Sequence, residues 1–320
     1  MGKPLLNAMF FLLAPAKINL YLKVLYKRPD GYHEIDTLLQ AVSLFDRLTF
    51  YPDSKIRVLT KGRRIPQKDN LVTKALLLLQ EYTGLKKGIR VVIEKKIPVA
   101  AGLGGGSSDA AAALLGACRL WQLPLGLSEL SYLGAQIGSD VPFFFTSGQA
   151  RARGRGEKLV ELPLPTDYSM ALACPHFAVS TPWAYQALNL SLTSVDKGGN
   201  FLTAKIKRTV GEDPRRFPRA LSFSNDLEAP VVRRFPEVEE IKRAFLAAGF
   251  GPVLMSGSGP AVWAVLPEKT DRPSGAGRMK KQSAMIRKLL PKTGITPRPR
   301  FFIVRPLAAC VNVLAGGRPA

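Results

Sequence analysis

The amino-acid sequence predicts an α+β protein of two domains. Segments in which apolar and polar residues alternate, as in half-buried strands, are interleaved with segments whose apolar residues recur at helical spacing. Near the middle of the 320-residue chain, the segment Leu162–Pro165 carries two prolines, which interrupt regular structure. Because a chain of this length commonly forms two domains, we expect an N-terminal domain over 1–163 and a C-terminal domain over 164–320.

The first half of the chain opens with strands. Apolar and polar residues alternate from Phe10 to Val24, which favours a strand pair, and a turn at Arg28–Gly31 leads into a β-rich passage over Asp36–Tyr51. The remaining predicted elements of this half are a helix over Asn70–Tyr82 ended by Gly84, a strand over Ile89–Ile93, helices starting near Ser107 and Ser128, and two short strands between Gly148 and Leu162.

The second half alternates strands and helices in an order that resembles a ferredoxin-like sandwich. Its predicted elements are a strand over Met170–Cys174, helices over Pro182–Leu188 and Glu237–Ala248, strands over Pro252–Met255 and Ala261–Leu266, a helix over Lys280–Leu289 and a strand over Phe301–Val304.

The stretch from Pro98 to Leu115 predicts an anion site. Gly102–Gly106 contains four glycines, whose backbone N–H groups can approach an anion closely. Ser107–Asp109 are good N-cap residues, and the alanines and leucines after them favour a helix. The unpaired N–H groups and the dipole of that helix would face the glycines, an arrangement that suits a phosphate.

Two familiar phosphate loops do not fit this stretch. A Walker loop needs a lysine before its hydroxyl residue, whereas Ser107 follows Gly106 directly. A Rossmann turn needs a third glycine three residues after Gly104, and that position is again Ser107. A flexible linker is the remaining alternative, but an apolar strand and an apolar helix flank the loop.

The net charge is strongly positive. The chain has 46 Lys and Arg against 24 Asp and Glu, a formal charge of +22, which favours anionic partners such as phosphorylated metabolites or nucleic acid. The stretch 269–305 is especially basic, and a solvated face or an insertion is its simplest interpretation. Only Phe301 and Phe302 add aromatic residues there, so we expect no nucleic-acid partner, and nucleic-acid binding remains the alternative from another class.

Cysteine usage and hydropathy favour a cytoplasmic protein. Cys118, Cys174 and Cys310 are odd in number and widely spaced, unlike a disulfide framework, and with two histidines the chain offers no zinc site of recognisable spacing. The N-terminal apolar run imitates a short secretory signal, but an opening strand explains the same residues. No apolar run is long enough to cross a bilayer, so we expect no membrane partner.

Two charged residues are candidates for chemistry. Asp140 precedes the apolar Phe143–Phe145, and a carboxylate at the edge of a buried segment gains basicity through desolvation. Lys17 lies among apolar neighbours in a strand and needs an anionic partner if it is buried. Each has a simpler role, Asp140 as a turn cap and Lys17 at a sheet edge. A second glycine turn, Met255–Pro260, is either a tight β-turn or a second wall of the anion site.

Together these motifs resemble the GHMP kinase family. Pro98–Ser108 is similar to that family's phosphate loop, although Ala100 and Ala101 stand where many members have glycine. The other segments that carry the resemblance, in the family's order, are Ala14–Leu20, Arg28–His33, Gly138–Pro142 and Ser256–Pro260. The fold implied is a ribosomal-protein-S5-like N-terminal domain followed by a ferredoxin-like C-terminal domain.

The resemblance implies an activity and a set of site residues. Arg28–His33, which contains Asp-Gly-Tyr-His, points to members that use ATP and Mg²⁺ to phosphorylate the 2-hydroxyl of a cytidine diphosphate sugar alcohol in the non-mevalonate isoprenoid pathway. Asp140 would accept the hydroxyl proton, and Lys17 would orient the reacting groups and offset negative charge. The implied ATP contacts are Pro98, Gly102, Leu103, Gly104, Gly105, Gly106, Ser107, Ser108, Asn70 and Lys96. The implied substrate contacts are Asn19, Tyr32, His33 and Tyr185.

Some expectations remain open at this point. The resemblance implies no dedicated metal-ligand set for Mg²⁺, with Ser107 or Ser108 as the nearest hydroxyls. A kinase of the same family that acts on homoserine or mevalonate is the alternative within the family. The expected partner is a small molecule, and both a monomer and a homodimer are compatible with the sequence.

Overall fold

The computed structural model describes residues 10–61, 70–188, 223–267 and 297–310. Three subjects of the sequence analysis lie outside these ranges: the segment before Phe10, the helix over Lys280–Leu289 and most of the basic stretch 269–305. The described residues form two sheets with helices packed on them, so the α+β prediction is confirmed. Within these ranges, every helix is too short or too polar to reach across a bilayer.

The first sheet is built on two long antiparallel strands, β1 (Phe10–Lys27) and β2 (His33–Asp53). β1 is one continuous strand rather than the expected pair, because register shifts after Pro15, Asn19 and Val24 let it follow β2 over its whole length. Burial alternates only towards the two ends of β1; residues 14–20 are all buried, so the middle of the strand is covered on both faces rather than half-buried as predicted. This places Lys17 and Asn19 in the middle of the longest strand pair.

Four shorter strands complete the first sheet on the other side of β2. The first half of β2 pairs with β5, and its second half pairs with β4. The four strands are β3 (Ile56–Lys61), β4 (Gly88–Glu94), β5 (Gln149–Gly154) and β6 (Lys158–Glu161). β3, which the sequence analysis did not predict, runs parallel to β4, and β6 pairs with β5.

Helices α1 (Leu71–Thr83) and α2 (Gly105–Trp121) pack on this sheet, and α3 (Leu127–Ile137) packs on these two helices. α2 supplies a nearly continuous run of buried alanines to the core. A Cβ at Gly116 would lie 2.3 Å from the ring of Phe50, so this glycine lets α2 touch the sheet directly. The close packing of α2 fixes the position of its first turn.

α2 begins differently from the sequence prediction. Gly104, with φ of +67°, is its N-cap, and the helix starts at Gly105, so Ser107–Asp109 lie inside the first turn instead of capping it. A glycine in the left-handed conformation turns the chain into the helix without a side chain, and no side-chain cap is present. α1, in contrast, has the predicted ends, with Asn70 as N-cap and Gly84 in the left-handed conformation after its last turn.

The second sheet has four antiparallel strands in the order β10-β7-β9-β8. They are β7 (Met170–Cys174), β8 (Val253–Met255), β9 (Val262–Val265) and β10 (Arg300–Val304). The described helices of this part are α4 (Thr181–Gln186), α5 (Glu228–Arg234) and α6 (Glu237–Ala247). All of these except α5 agree in place with the predicted elements.

The two sheets share a hydrophobic core. Trp263 of β9 is fully buried in one cluster with Ile18 and Leu20 of β1, and its Nε1–H donates to the carbonyl oxygen of Asn19 at 2.9 Å. β1 therefore belongs to the first sheet and also rests on the second. The predicted division at 163/164 falls between β6 and β7, and we propose it as the domain boundary.

Candidate active site

A cavity of about 1050 Å³ opens where loops of the two sheets converge. Its size is at the upper end of small-molecule sites, which leaves room for two ligands side by side. It brings together most of the residues singled out in the sequence: Lys17, Asn19, Tyr32, His33, Asn70, Pro98, Gly102, Leu103, Gly104, Gly105, Gly106, Ser107, Asp140 and Tyr185. Two others are not in its lining: Ser108 is fully buried, and Lys96 is exposed.

The glycine loop is held against the second sheet by backbone contact. Gly102 has φ of +77°, and a Cβ there would lie 2.0 Å from the carbonyl oxygen of Ser256. Ser256 Oγ donates to the carbonyl oxygen of Gly102 at 2.9 Å and accepts from the N–H of Asn19 at 3.3 Å. The hydroxyl of Ser256 thus connects the loop, β1 and the second glycine turn. Position 102 requires glycine because the backbone there has a positive φ and because no space is left for a Cβ.

The second glycine turn, Met255–Pro260, forms another wall of the cavity. Gly257 and Ser258 line it, and a Cβ at Gly257 would lie 3.0 Å from Asn19 Oδ1 and 3.4 Å from Lys17 Nζ. The amide of Asn225 donates to the carbonyl oxygens of Met255 and Gly257 at 2.9 and 2.7 Å, which fixes the turn.

The first turn of α2 faces the cavity. Gly105, Gly106 and Ser107 line it, and the first N–H groups of a helix have no carbonyl partner within that helix. The positive end of the helix dipole lies at the same place. The loop and the helix start therefore form a site for phosphate groups.

Lys17 is a buried cation with a fixed orientation. It is 4% exposed, and its Nζ donates to Asn19 Oδ1 at 2.6 Å. The amide of Asn19 is itself oriented, since its Nδ2 donates to Thr37 Oγ1 at 2.8 Å. The ammonium group therefore points along one direction into the cavity.

Asp140 faces that ammonium group from the turn after α3. Its Oδ2 lies 3.7 Å from Lys17 Nζ, and its side chain is 38% exposed, so one side remains open to a ligand. The residues that follow it, Pro142–Phe145, form a buried 3₁₀ turn that anchors the aspartate. A carboxylate in this position can accept a proton from a bound hydroxyl group.

A group of aromatic residues also lines the cavity. The rings of His33 and Tyr185 stack, with centroids 5.0 Å apart and planes 25° from parallel. A ligand ring inserted between them would need the two rings to be about 7 Å apart, which is two stacking distances. The observed separation is too small, so a ligand ring must stack on the outer face of Tyr185 or on Tyr32. Tyr32 is 52% exposed, and the guanidinium of Arg155 lies over its ring at 4.7 Å from the centroid.

The ionisation of these rings follows from burial. Burial lowers the pKa of His33, and the charge of Lys27 lowers it further, so the imidazole is neutral near pH 7. A neutral imidazole offers one hydrogen-bond donor and one acceptor. Burial also raises the pKa of Tyr185, with a smaller contribution from the charge of Asp140, so the phenol keeps its proton.

A lysine that the sequence analysis missed lies beneath the glycine loop. Lys95 lines the cavity, and its Nζ donates to Asp46 and, at 2.7 Å, to Asp109. Lys96, which was expected to contact ATP, is exposed. The alternation of buried Ile89, Val91 and Ile93 could have identified Lys95, since every second residue of a strand faces the same side.

The residues present can give a magnesium ion only a partial set of ligands. Ser108 Oγ and Asp109 Oδ1 are buried and without a hydrogen-bond partner, and Ser107 lies beside them in the lining. Burial raises the pKa of Asp109 to about 7, with Lys95 acting in the opposite direction. No cluster of three His, Cys, Asp or Glu residues occurs among the described residues. This donor set fits an ion that takes most of its oxygens from phosphates and water.

Comparison with known proteins gives consistent results. Residues 70–148 match the family model of the GHMP kinases N terminal domain, and residues 203–283 match that of the GHMP kinases C terminal domain. A 4-diphosphocytidyl-2-C-methyl-D-erythritol kinase of Thermodesulfovibrio yellowstonii is 42% identical over 259 residues, which is 80% of this chain and 89% of that protein. The enzyme of the same name from Bacillus pumilus is 45% identical over 79% of this chain and 86% of its own length.

Solved structures give the same fold. A crystal structure of 4-(cytidine 5'-diphospho)-2C-methyl-D-erythritol kinase aligns with a TM-score of 0.71 and 33% identity, over 93% of this chain and 99% of that one. A homoserine kinase from Cytophaga hutchinsonii aligns with a TM-score of 0.70 over 96% and 98% of the two chains, but at 20% identity it supports the fold alone.

Proposed function

The chain belongs to the GHMP kinase family, and within that family we propose that it phosphorylates the 2-hydroxyl of 4-diphosphocytidyl-2-C-methyl-D-erythritol with ATP. The observation that carries this proposal is the meeting, in one cavity, of a phosphate loop, a lysine–aspartate pair and an aromatic group. Curated relatives 40–45% identical to the chain bear the name of this kinase, which supports the substrate.

The phosphate loop and the start of α2 hold the donor. The N–H groups of Gly105, Gly106 and Ser107 would bind the phosphates of ATP, since they are unpaired and lie at the positive end of the helix. Phosphoryl transfer depends mainly on positioning and on stabilising charge, so a rigid loop contributes directly to the rate. The contact between Gly102 and Ser256 supplies that rigidity.

Lys17 and Asp140 act on the acceptor. As the 2-hydroxyl oxygen forms its bond to the γ-phosphorus, the bond from that phosphorus to the bridging oxygen breaks and ADP leaves. Asp140 takes the hydroxyl proton, and Lys17, 3.7 Å away, stabilises the charge that develops on the transferred group. Asn19 keeps the ammonium group in place through its 2.6 Å hydrogen bond.

We include Mg²⁺ in the proposal as a partner of ATP. When bound, the ion would neutralise charge on the phosphates. Ser107 and Asp109 line the cavity and could supply oxygen ligands from the protein, and the unpaired Oδ1 of Asp109 supports this assignment, whereas Ser108 lies outside the lining.

The aromatic group would bind the cytosine. Tyr32 and the outer face of Tyr185 offer stacking surfaces, and the neutral His33 can pair with the donor and acceptor atoms on the edge of the base.

The three cysteines are buried and free, which supports the cytoplasm as the compartment of the protein.

A substrate panel tests the function. The purified protein is given ATP and Mg²⁺ with either the cytidine substrate, homoserine or mevalonate, and ADP release is coupled to a spectroscopic readout. We expect turnover with the cytidine substrate and none above background with the other two. Turnover confined to homoserine or mevalonate would replace the substrate while keeping the family.

A further inference from the structure

Arg155 is a cavity residue that no part of the proposed reaction uses. It lies at the turn between β5 and β6, between Gly154 and Gly156, which have φ of +75° and +117°. Glu34 fixes this turn by accepting the N–H of Gly154 at 3.0 Å and an N–H of Arg28 at 2.7 Å. The turn is thus tied to the same β1–β2 connection that carries Tyr32.

The guanidinium of Arg155 lies over the ring of Tyr32 and forms no close ion pair among the described residues, although its charge helps the hydrogen bond from Arg28 to lower the pKa of Asp30. It is 4.7 Å from the centroid of the Tyr32 ring, and within the described part of the chain it forms no side-chain hydrogen bond. Asp30 also lines the cavity, but it is paired with Arg28 at 3.1 Å. A guanidinium over an aromatic ring does not use up its N–H groups, so these remain available for an anion.

Arg155 lies close to two parts of the acceptor site, the ring of Tyr32 and the segment that precedes Asp140. On one side it covers Tyr32, where the base would stack. On the other side its neighbour Gly156 lies against Ser139, whose carbonyl oxygen is 3.8 Å from the place of a Cβ on that glycine. Ser139 directly precedes Asp140, the residue assigned to the acceptor hydroxyl. Arg155 therefore lines the same cavity as Tyr32 and Asp140, and its turn contacts the segment that carries Asp140.

We propose that Arg155 binds the diphosphate of the cytidine substrate and makes the enzyme selective for acceptors that carry one. This inference rests on the proposed function. A molecule with its base at Tyr32 and its hydroxyl at Asp140 has its diphosphate between them, and the edge of a guanidinium can donate two parallel N–H groups to phosphate oxygens.

Other cations near the cavity are less suited to this role. Lys17 is engaged by Asn19 and Asp140, and Lys95 is engaged by Asp46 and Asp109. Lys27 also lines the cavity, but it is exposed, and its backbone pairs in register with His33. Arg155 has both free donors and a fixed orientation.

Binding measurements with truncated ligands test the proposal. With ADP saturating the donor site, calorimetry gives the Kd of cytidine and of cytidine diphosphate for the natural protein, R155A and R119A. R119A is the matched control, because Arg119 also lies 4.7 Å over an aromatic ring, that of Phe10, but outside the cavity. We expect R155A to weaken cytidine diphosphate about 10- to 100-fold and cytidine less than about twofold, with R119A unchanged.

Three results would overturn the assignment. Equal weakening of cytidine and its diphosphate by R155A would mean that Arg155 only supports Tyr32. A loss of diphosphate selectivity in K27A and not in R155A would move the role to Lys27. If R155A does not fold, R155Q gives the same test, since it keeps length and polarity but no charge. If the natural protein turns over the cytidine substrate and R155A still prefers cytidine diphosphate to cytidine, this inference alone is refuted. If the natural protein does not turn over the cytidine substrate, the proposed function is refuted.

Discussion

At the scale of single residues, the role of Asp140 can be separated from the binding of ATP. Asp140→Asn removes the proposed proton acceptor but keeps the size of the side chain, so we expect kcat to fall about 10²- to 10⁴-fold. The phosphate loop does not include Asp140, and the Kd of ATP should stay within about twofold. Steady-state kinetics and titration with a non-hydrolysable ATP analogue measure the two quantities.

A matched variant controls for the loss of a charge. Asp167→Asn removes a carboxylate that is exposed and remote from the cavity lining, and its rate should equal that of the natural protein. If Asp140→Asn keeps most of its rate, Asp140 is only a turn residue and the assignment of the base is wrong.

His33 should make substrate binding sensitive to acid. Burial lowers its pKa, so the ring is neutral near pH 7 and gains a proton only as the pH falls through that lowered value. A protonated ring has lost its hydrogen-bond acceptor, so KM for the cytidine substrate should rise in this acidic range. The KM for ATP should not show this rise. His33→Asn cannot titrate and should flatten the profile. His33→Ala should weaken the cytidine substrate far more than ATP, and equal losses for both ligands would remove His33 from the base site.

At the scale of elements, the sequence predicted those helix ends that depend on residues close to them in the chain. The ends of α1 follow from Asn70 and Gly84, since a side-chain cap and a left-handed glycine act within a few residues. The predicted start of α2 was wrong by a few residues. Gly104 takes the N-cap position in the left-handed conformation, so the helix begins before the serines that were expected to cap it. Nothing in the sequence showed that Gly102 contacts Ser256, since 154 residues separate them.

The same limit applies to the candidate site. The motifs identified Lys17 and Asp140, but Arg155 belongs to no motif and becomes visible only when its turn is placed beside Tyr32. The choice between Lys95 and Lys96 depends on which face of β4 is buried, and the strand pattern held that information. Residues whose role comes from distant neighbours require the fold.

Gly102→Ala tests whether the phosphate loop depends on its contact with the second sheet. The new Cβ would meet the carbonyl oxygen of Ser256 at 2.0 Å, so the loop must move, and we expect weaker ATP binding together with lower stability. Gly84→Ala is the control, since Gly84 has φ of +68° but open space around it and should cost only the backbone strain, about 1 to 2 kcal/mol. Denaturant unfolding and the KM for ATP compare the two. Equal effects on stability and no change in KM would show that the contact is incidental.

At the scale of the whole molecule, the cavity holds only a small part of the net charge of +22, since three aspartates, Asp30, Asp109 and Asp140, line it together with four cations. Lys17, Lys27, Lys95 and Arg155 all line a cavity that would receive two highly charged anions. A surplus of cations around such a cavity attracts both ligands at a distance.

The two sheets share a core at the site, so packing far from the ligands should affect the rate. Trp263→Phe removes the N–H that Asn19 accepts at 2.9 Å, and Asn19 orients Lys17. Trp121→Phe is the control: Trp121 is also buried and donates to a backbone oxygen, that of Gly88 at 3.2 Å, but within the first domain only. Each should lower the free energy of unfolding by about 1 to 3 kcal/mol, since each leaves a carbonyl without its partner. Only Trp263→Phe should also lower kcat, about tenfold, because it displaces a group that must be positioned to within about 1 Å. Equal kcat in the two variants would show that the position of Asn19 is set by the first sheet alone.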